Sequence, residues 1–447
     1  MADVIKIKKG LDINIQGKAP LYFVKTYQSD SYAIVPDDYC GITPKVTVRA
    51  GDKVKAGTTL MTDKNHPEIR FVSPVSGEVT GVNRGDKRKI LNITVKADGT
   101  QEYEDFGKAP ADAEGIKNML LQAGMWAFIR QRPYDRVPDP AIKPRDIFVT
   151  AYNSAPLAPD FEFILNGETA ALQKGLDALT KLTDGNVFVG IKKGCDLKLN
   201  NVTTVELDGP HPAGNVGVMI NHLKPVNKGE TVWTLAAADV LIIGRLLLTG
   251  KADFSRIIAL TGSEMSNRGY VKALTGCKIA SLVHGRVLTD DTVRVISGNV
   301  LTGKKVSLDD YLGFYDTQIT AIPEGSDVNE FVGWAAPGFG KFSVSRAYPA
   351  AWLNVFWKKP YTLDARIKGG KRAMIMSNEY DRVFPFDILP EYLLKAIIAF
   401  DIDKMERLGI YEVAPEDFAL CEFVDTSKIE IQKIVRQGLD LLYKEMN

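Results

Sequence analysis

A repeat of short β-strands and glycine–aspartate turns between residues 46 and 95 constrains the fold more than any other feature of the sequence. The two passes of the repeat are carried by Val46, Val48, Gly51, Asp52 and Val54, and then by Val79, Val82, Gly85 and Asp86. β-Branched residues favour strands, and Gly-Asp pairs favour tight turns between them. Two similar halves of this kind can pair about a quasi-twofold axis, so the pattern predicts a small, flattened β-barrel.

The repeat resembles the lipoyl and biotinyl carrier domains, whose two halves are built in this way. Thr62-Asp63-Lys64 occupies the position at which such domains present a modified lysine. Two interpretations are open: Lys64 carries a prosthetic group, or the fold is reused and Lys64 is an ordinary solvated side chain. The longer loop through residues 65–68 favours the unmodified lysine, because fold alone does not fix function.

Length and charge exclude several classes of protein. The chain has 447 residues, enough for roughly three domains, and a net charge of +1, which predicts no nucleic-acid partner. The most apolar stretch, residues 232–248, contains Asp239 and Arg245. Each would cost about 2.5–3.5 kcal/mol at the centre of a membrane. We therefore expect a buried helix here, no membrane span and no signal peptide, and a cytoplasmic protein.

The sequence carries few residues that could form a catalytic or metal site. Its four cysteines, Cys40, Cys195, Cys277 and Cys421, form no C-x-x-C pair, so neither an iron–sulfur cluster nor a zinc site is predicted. There is no G-x-G-x-x-G fingerprint and no Walker A loop. His211 and His222 could form a metal pair, but structural hydrogen bonding is the favoured interpretation. We expect no catalytic residue, no metal and no cofactor bound covalently or by a motif.

The pattern of strands and helices predicts a multidomain α/β plus β protein. Apolar strands at residues 147–150 and 187–191, separated by helical stretches, indicate an open α/β sheet with Rossmann-like wrapping. The predicted units are an N-terminal β region with the lipoyl/biotinyl-like barrel-sandwich (hammerhead) domain (1–100), a Rossmann-like α/β domain (101–256), an SLBB-like β-grasp domain (257–330), a connecting β segment (331–380) and a C-terminal helical domain (381–447).

Taken in this order, the pieces resemble one family over essentially the whole chain, that of the A subunit of the sodium-translocating NADH:quinone reductase. The residues that carry the resemblance are Lys9-Gly10-Leu11-Asp12, residues 48–52, residues 84–88, the turn Asp208-Gly209-Pro210-His211-Pro212-Ala213-Gly214, residues 380–390 and residues 416–421. The resemblance implies a peripheral subunit on the cytoplasmic, inner face of the bacterial membrane. The family's complex oxidises NADH, reduces ubiquinone and exports sodium, so the other subunits of that complex are the implied partners.

The family also resembles the flavin-carrying subunit of complex I and the C subunit of Rnf-type complexes, which hold a nucleotide on a glycine-rich loop. Here the matching place, after Ala123-Gly124, reads MWAFIRQRPY over residues 125–134. Glycines let backbone amides approach a phosphate, whereas aromatic side chains would fill that space. We therefore expect a scaffold without its own redox cofactor. The alternatives are a carrier modified at Lys64 and an Rnf-type electron-transfer subunit.

The same segment supplies candidate site residues. A quinone site needs an apolar or aromatic slot and hydrogen-bond donors to the carbonyl oxygens. The candidates that provide them are Trp126, Phe128, Arg130, Arg132 and Tyr134. The alternative is an internal plug, in which the aromatic rings are buried and the arginines pair with Asp135 or Asp139.

Overall fold

A computed structural model describes residues 3–25, 28–288, 291–326, 341–344 and 360–446 of the chain. The strands are β1 (Asp3–Lys6), β2 (Ser31–Ile34), β3 (Pro44–Val46), β4 (Lys53–Val54), β5 (Thr59–Asp63), β6 (Arg70–Val72), β7 (Gly77–Arg84), β8 (Ile90–Ala97), β9 (Arg130–Arg132), β10 (Ile147–Thr150), β11 (Val187–Lys192), β12 (Thr203–Asp208), β13 (Val232–Ala236), β14 (Ser255–Thr261), β15 (Gly269–Leu274), β16 (Val293–Ser297), β17 (Lys304–Val306) and β18 (Gln318–Pro323). The α-helices are α1 (Ala113–Gln122), α2 (Phe161–Leu165), α3 (Thr169–Leu179), α4 (Val216–Leu223), α5 (Ala237–Thr249), α6 (Ile279–Val283), α7 (Pro390–Ile398), α8 (Ile402–Arg407), α9 (Ala419–Val424) and α10 (Ile431–Met446).

The repeat between residues 46 and 95 forms the predicted barrel-sandwich. Its two sheets have the strand orders β2-β8-β7-β4 and β3-β5-β6. The turn of the first pass has Gly51 at φ 93°, a left-handed conformation that glycine adopts without strain, and the backbone N–H of Arg49 donates to the Asp52 carboxylate (2.7 Å). The Gly-Asp pairs therefore mark turns, as the sequence predicts.

The α/β domain contains a six-stranded sheet with the order β1-β12-β11-β10-β13-β9. Its strands run parallel except β9, which pairs antiparallel with β13. Helices α3 and α5 pack closely because each offers a glycine: a Cβ at Gly244 would lie 1.8 Å from the Ala171 carbonyl oxygen. The apolar run at residues 232–248 is β13 followed by α5. None of the helices in the described ranges combines the length and apolar content needed to cross a membrane.

The first strand lies outside the N-terminal β region to which residues 1–100 were predicted to belong. β1 pairs parallel with β12 over four residues, from Asp3 opposite Val205 to Lys6 opposite Asp208. It therefore forms the edge of the α/β sheet. The short apolar pattern at residues 5–7 indicates a strand but carries no information about a partner 200 residues away, and the predicted domain boundaries otherwise stay predictions.

Residues 255–323 form a β-grasp sheet with the order β15-β14-β18-β16-β17. The hairpin β14–β15 is followed by α6, and β18 returns between β14 and β16, parallel to β14. This sheet is joined to the α/β domain by the buried pair Arg256–Asp239, with 2.9 Å between guanidinium and carboxylate. Burial raises the pKa of Asp239 to about 6, partly offset by Arg256.

The C-terminal domain is helical, as predicted. The stripe Ile431, Val435, Leu439 and Leu442 on α10 is fully buried, and α10 packs against α7. Full burial stabilises by roughly 1.5–3 kcal/mol for each such side chain. Much of the predicted connecting β segment (331–380) lies outside the described residues. Its described part makes a single bridge, Tyr361 with Ile15.

Candidate functional site

The candidate segment, residues 126–134, begins directly after α1. That helix ends at Gln122 and is followed by Gly124, whose φ of 71° is left-handed and whose missing Cβ leaves room for Val72 of the barrel-sandwich. A 3-10 turn over Trp126–Phe128 follows, and then β9 joins the edge of the α/β sheet. The segment is therefore held between the barrel-sandwich and the α/β domain.

The two aromatic residues at its start are part of the protein core. Trp126 is fully buried, its ring N–H donates to the Pro138 carbonyl (2.9 Å), and it meets Trp233 edge-on at 5.1 Å. Phe128 is equally buried and stacks on Phe314 at 4.6 Å. Both rings are thus enclosed by protein, which leaves neither accessible for a quinone ring to stack on.

Arg130 is half-buried, and its guanidinium contacts one carboxylate and one aromatic ring. It donates to the Asp135 carboxylate (3.2 Å) and lies over the ring of Tyr315, 4.7 Å from its centre. The charge of Asp135 raises the pKa of Arg130 above its ordinary value, and burial offsets only part of that effect. This is the Asp135 pairing that the plug interpretation predicts; in the described structure, Asp139 faces His66 instead, at 3.7 Å.

Arg132 is only 1% exposed and anchors the segment to the C-terminal domain. Its Nη1 donates to the Glu412 carbonyl (2.7 Å) and to the Asp417 carboxylate (2.8 Å), and its Nη2 lies 3.3 Å from Glu416. Burial lowers the pKa of Arg132, but Asp417 and Glu416 more than offset this and leave it raised. Burial also raises the pKa of Asp417, and the nearby charge of Arg132 offsets part of that rise.

Tyr134 stands at the end of the segment, where the chain turns. It is half-buried, its φ is 79°, and its ring meets Tyr443 of α10 edge-on at 5.2 Å. Its carbonyl accepts a hydrogen bond from Arg436 (2.6 Å). Arg132 and Tyr134 therefore tie the segment to two different parts of the C-terminal domain.

A cavity of about 330 Å³ borders the side of the segment that faces away from this core. Its walls are contributed by the segment, the barrel-sandwich, the α/β domain and α10; among them are Ile42, His66, Gln131, Pro133, Tyr134, Arg136, Lys228, Tyr411 and Tyr443. Gln131 is 5% exposed, and its Oε1 has no hydrogen-bond partner in the described structure. A buried amide oxygen without a partner is costly, so the surrounding protein satisfies the side chain of Gln131 only in part.

Sequence reasoning missed Gln131 and the acidic partners of Arg132. Gln131 lies between two arginines that were singled out, and only the alternation of side chains along β9 directs it toward the cavity. Asp417 is 285 residues away from Arg132. The signal available was its place in the tail motif over residues 416–421, which gave no indication of the partner.

Lys64 lies in the connection between β5 and β6 and is exposed. The turn that contains it is fixed by the buried Asp63, whose carboxylate accepts from the backbone N–H groups of Thr43 (2.8 Å) and His66 (3.2 Å). The Lys64 N–H donates to the Thr43 carbonyl (2.8 Å). Its side chain is therefore available to solvent, which both interpretations of this lysine require.

The cysteines and histidines are dispersed. All four cysteines are free thiols, and the described residues contain no group of three or more His, Cys, Asp or Glu side chains arranged to hold a metal. His211 is buried with its Nδ1 3.0 Å from the Ser154 hydroxyl, and burial lowers its pKa to about 4. His222 Nδ1 lies 2.9 Å from the Val218 carbonyl oxygen, one turn earlier on α4. Each histidine thus has its own local partner.

Comparison with known proteins defines first a class and then a family. Three domain models match in order: the NqrA N-terminal barrel-sandwich hybrid domain at residues 5–98, the NqrA second alpha/beta domain at residues 111–252, and the NQRA C-terminal domain at residues 257–307. These place the chain among proteins that join a barrel-sandwich, an α/β sheet and an SLBB domain.

Full-length relatives are the A subunits of Na(+)-translocating NADH-quinone reductases. Those of Neisseria meningitidis serogroup A and Vibrio atlanticus are each 36% identical over 451 residues, and that of Hahella chejuensis is 37% identical over 452 residues. In each case the match covers 99% of this chain and 100% of the relative. The chain belongs to the family of the A subunit of the Na(+)-translocating NADH-quinone reductase, which confirms the family resemblance and the predicted fold class.

Among solved structures, a chain of the NAD+-reducing [NiFe]-hydrogenase in the H2-reduced state matches 75% of this chain and 61% of its own length. The identity is 12% and the TM-score 0.36, too low to carry an argument.

Proposed function

We propose that this chain is the peripheral A subunit of a sodium-pumping NADH:ubiquinone oxidoreductase and lies on the cytoplasmic face of the membrane. The observation that carries the proposal is the match over 99% of the chain to subunits of that name. The chain contributes scaffold and binding surface, and electron transfer takes place on cofactors held by other subunits. The isolated chain is not catalytic.

The experiment is a gentle pull-down of the tagged chain from its native membranes, with NADH:quinone activity measured on the eluate. We expect membrane subunits to co-elute and the activity to rise when Na⁺ replaces K⁺ at constant ionic strength. An untagged strain is the control. Elution of the chain alone, or with an activity that does not respond to Na⁺, contradicts the proposal and reopens the carrier and Rnf-type alternatives.

We further propose that the candidate segment is an internal plug on one face and a quinone-binding surface on the other. The face formed by Trp126, Phe128, Arg130 and Arg132 is the internal plug, since these side chains have partners within the protein. The face formed by Gln131, Pro133 and Tyr134 borders the cavity and contacts the quinone head group. A cavity of about 330 Å³ lies within the size range of small-molecule sites.

The chemistry of the cavity supports a quinone. The side-chain N–H groups of Gln131 are donors for a quinone carbonyl. Tyr134 and Tyr443 supply aromatic walls. Arg136 lies over the Tyr443 ring at 3.5 Å from its centre, and thus adds a cation at the edge of the cavity.

Two pairs of variants separate the faces. Gln131→Leu is expected to weaken quinone binding to the assembled complex about 5- to 10-fold, the usual effect of losing one hydrogen bond. Gln122→Leu, an exposed glutamine at the end of α1, is the matched control and should leave affinity unchanged. Trp126→Phe and Arg130→Met should lower thermal stability without changing affinity. Equal affinities in the Gln131 and Gln122 variants would remove the quinone proposal.

A further inference from the structure

The hairpin β7–β8 ends in a basic tip, residues 83–89. Four cations, Arg84, Lys87, Arg88 and Lys89, stand there beside one acid, Asp86. Every residue of the tip except Gly85 is exposed. The hairpin's two strands are eight residues each, and its core residue nearest the tip is the buried Ile90, which pairs with Arg84. The tip thus extends beyond the apolar core of the barrel-sandwich.

Three of these cations are not neutralised within the described part of the chain. Lys89 pairs with Asp37 at 2.6 Å. Arg84 donates to the Arg88 carbonyl (3.1 Å), which positions its side chain without balancing its charge. Lys87 and Arg88 take part in no ion pair among the described residues. An excess of positive charge is thus concentrated on a few residues of a chain whose net charge is only +1.

The backbone of the tip is unusual for these side chains. Lys87 has φ 52° and Arg88 φ 63°, and the Lys89 N–H donates to the Asp86 carbonyl (3.0 Å) across the turn. Two successive residues with positive φ are the pattern of a type I′ turn, for which Asn-Gly is strongly preferred. Lysine and arginine are therefore held here at a cost in backbone strain, and the turn gains nothing from their side chains.

We infer that the tip docks on anionic phospholipid head groups of the membrane that carries the complex. Arg84, Lys87 and Arg88 supply unpaired charge that phosphate oxygens can neutralise. Leu91, 43% exposed and packed beside Gly85, adds one apolar side chain that can enter the head-group layer. The tip holds the protein in one orientation on the bilayer, a role separate from its contacts with quinone or with other subunits.

The test is co-sedimentation of the purified full chain with vesicles. We expect binding to vesicles of phosphatidylcholine mixed with phosphatidylglycerol, little binding to phosphatidylcholine alone, and loss of binding in high salt, since the attraction is screened. Replacing Arg84, Lys87 and Arg88 together with alanine should weaken binding about fivefold for each cation, roughly 100-fold in all. Unchanged binding by this triple variant overturns the inference.

Two further variants exclude trivial explanations. The control variant replaces three exposed cations of the α/β domain and its linker with alanine: Lys108, Lys174 and Lys192. It changes the net charge as much as the triple variant does, and its vesicle binding should stay within about threefold of that of the unaltered chain. A loss of vesicle binding as large as that of the triple variant would mean that positive charge anywhere suffices, and would overturn the inference. Lys87→Asn with Arg88→Gly supplies the residues a type I′ turn prefers, so it should raise the melting temperature while binding falls roughly 25-fold.

The outcome also distinguishes a lipid from a protein partner. If the triple variant binds vesicles normally but fails to co-elute with membrane subunits in the pull-down, the tip docks on an acidic protein surface and the inference is wrong. If it assembles normally but loses vesicle binding, the inference stands. The vesicles contain no other subunit. A chain that does not bind vesicles therefore leaves the proposed subunit role untouched, and a pull-down without membrane subunits leaves the vesicle result interpretable.

Discussion

Replacing Arg132 with methionine should release the C-terminal domain locally, and this is the sharpest test of how the candidate segment is held. Arg132 is nearly inaccessible to solvent and binds three groups of the C-terminal domain: the Glu412 carbonyl, the Asp417 carboxylate and the Glu416 carboxylate. Methionine retains most of the apolar volume and removes all of these bonds. The substitution thus probes the charge and not the packing.

The expected cost is large because Asp417 is left behind. Its side chain has no exposed surface, and after the substitution its remaining hydrogen bond in the described structure comes from the Ala414 N–H (2.8 Å). Removing one member of a buried ion pair costs about 3–5 kcal/mol. If this opens the C-terminal domain locally, amide hydrogens of α9, next to Asp417, should exchange roughly 150- to 5000-fold faster.

The assay is native-state hydrogen exchange followed by mass spectrometry of peptides from α9 and, as an internal reference, from β7 and β8. Arg130→Met is the matched control: Arg130 is half-buried, and Asp135 is left within reach of Arg436 at 4.0 Å, so the effect on α9 should stay below tenfold. Adding Asp417→Asn to the Arg132 variant removes the stranded charge and should recover part of the loss. Exchange in α9 accelerated less than tenfold by Arg132→Met, or no recovery in the double variant, would refute the reasoning.

Three further predictions concern other sites. Burial lowers the pKa of His211 from 6.5 to about 4, so the unfolded chain takes up the proton at a higher pH than the folded chain. About 3 kcal/mol of stability should therefore be lost as pH falls from 6.5 to 4. His211→Gln should flatten the pH dependence of the melting temperature, and an unchanged dependence would contradict the prediction. Gly217→Ala places a Cβ 2.3 Å from the Asp417 carboxylate and should cost about 1–3 kcal/mol by denaturant melting; a neutral result would contradict the close approach of α4 to the C-terminal domain. Intact mass of the native protein should show Lys64 unmodified, and an added lipoyl or biotinyl mass would restore the carrier alternative.

The elements that were predicted best are those specified by short-range patterns. The Gly-Asp turns and β-branched runs led to the barrel-sandwich, because both signals act within a few residues. The apolar spacing of Ile116, Met119 and Leu120, followed by Gly124, is typical of a helix that ends there, and α1 occupies Ala113–Gln122. The stripe on α10 likewise follows from helical periodicity alone.

The features that escaped prediction depend on partners far away in the sequence. The pattern at residues 5–7 predicts a strand but cannot select β12 as its neighbour. The segment after α1 showed aromatic residues and arginines, but whether they face a ligand or the core depends on Phe314, Asp417 and Tyr443, which other domains supply. The cavity beside Gln131 exists only once four units have come together, so no local pattern could indicate it.

The position of β1 has a consequence for biosynthesis. Its only sheet neighbour in the described structure, β12, lies about 200 residues later in the chain. At 5–20 residues per second, a ribosome needs roughly 10–40 s to deliver that neighbour, during which the first strand must wait unpaired. The pairing of β1 with the edge of the α/β sheet is therefore a late step, which brings the start of the chain to a strand made about 200 residues later. A bulky fusion ahead of residue 3 would burden this closing step, whereas a fusion behind α10 would not.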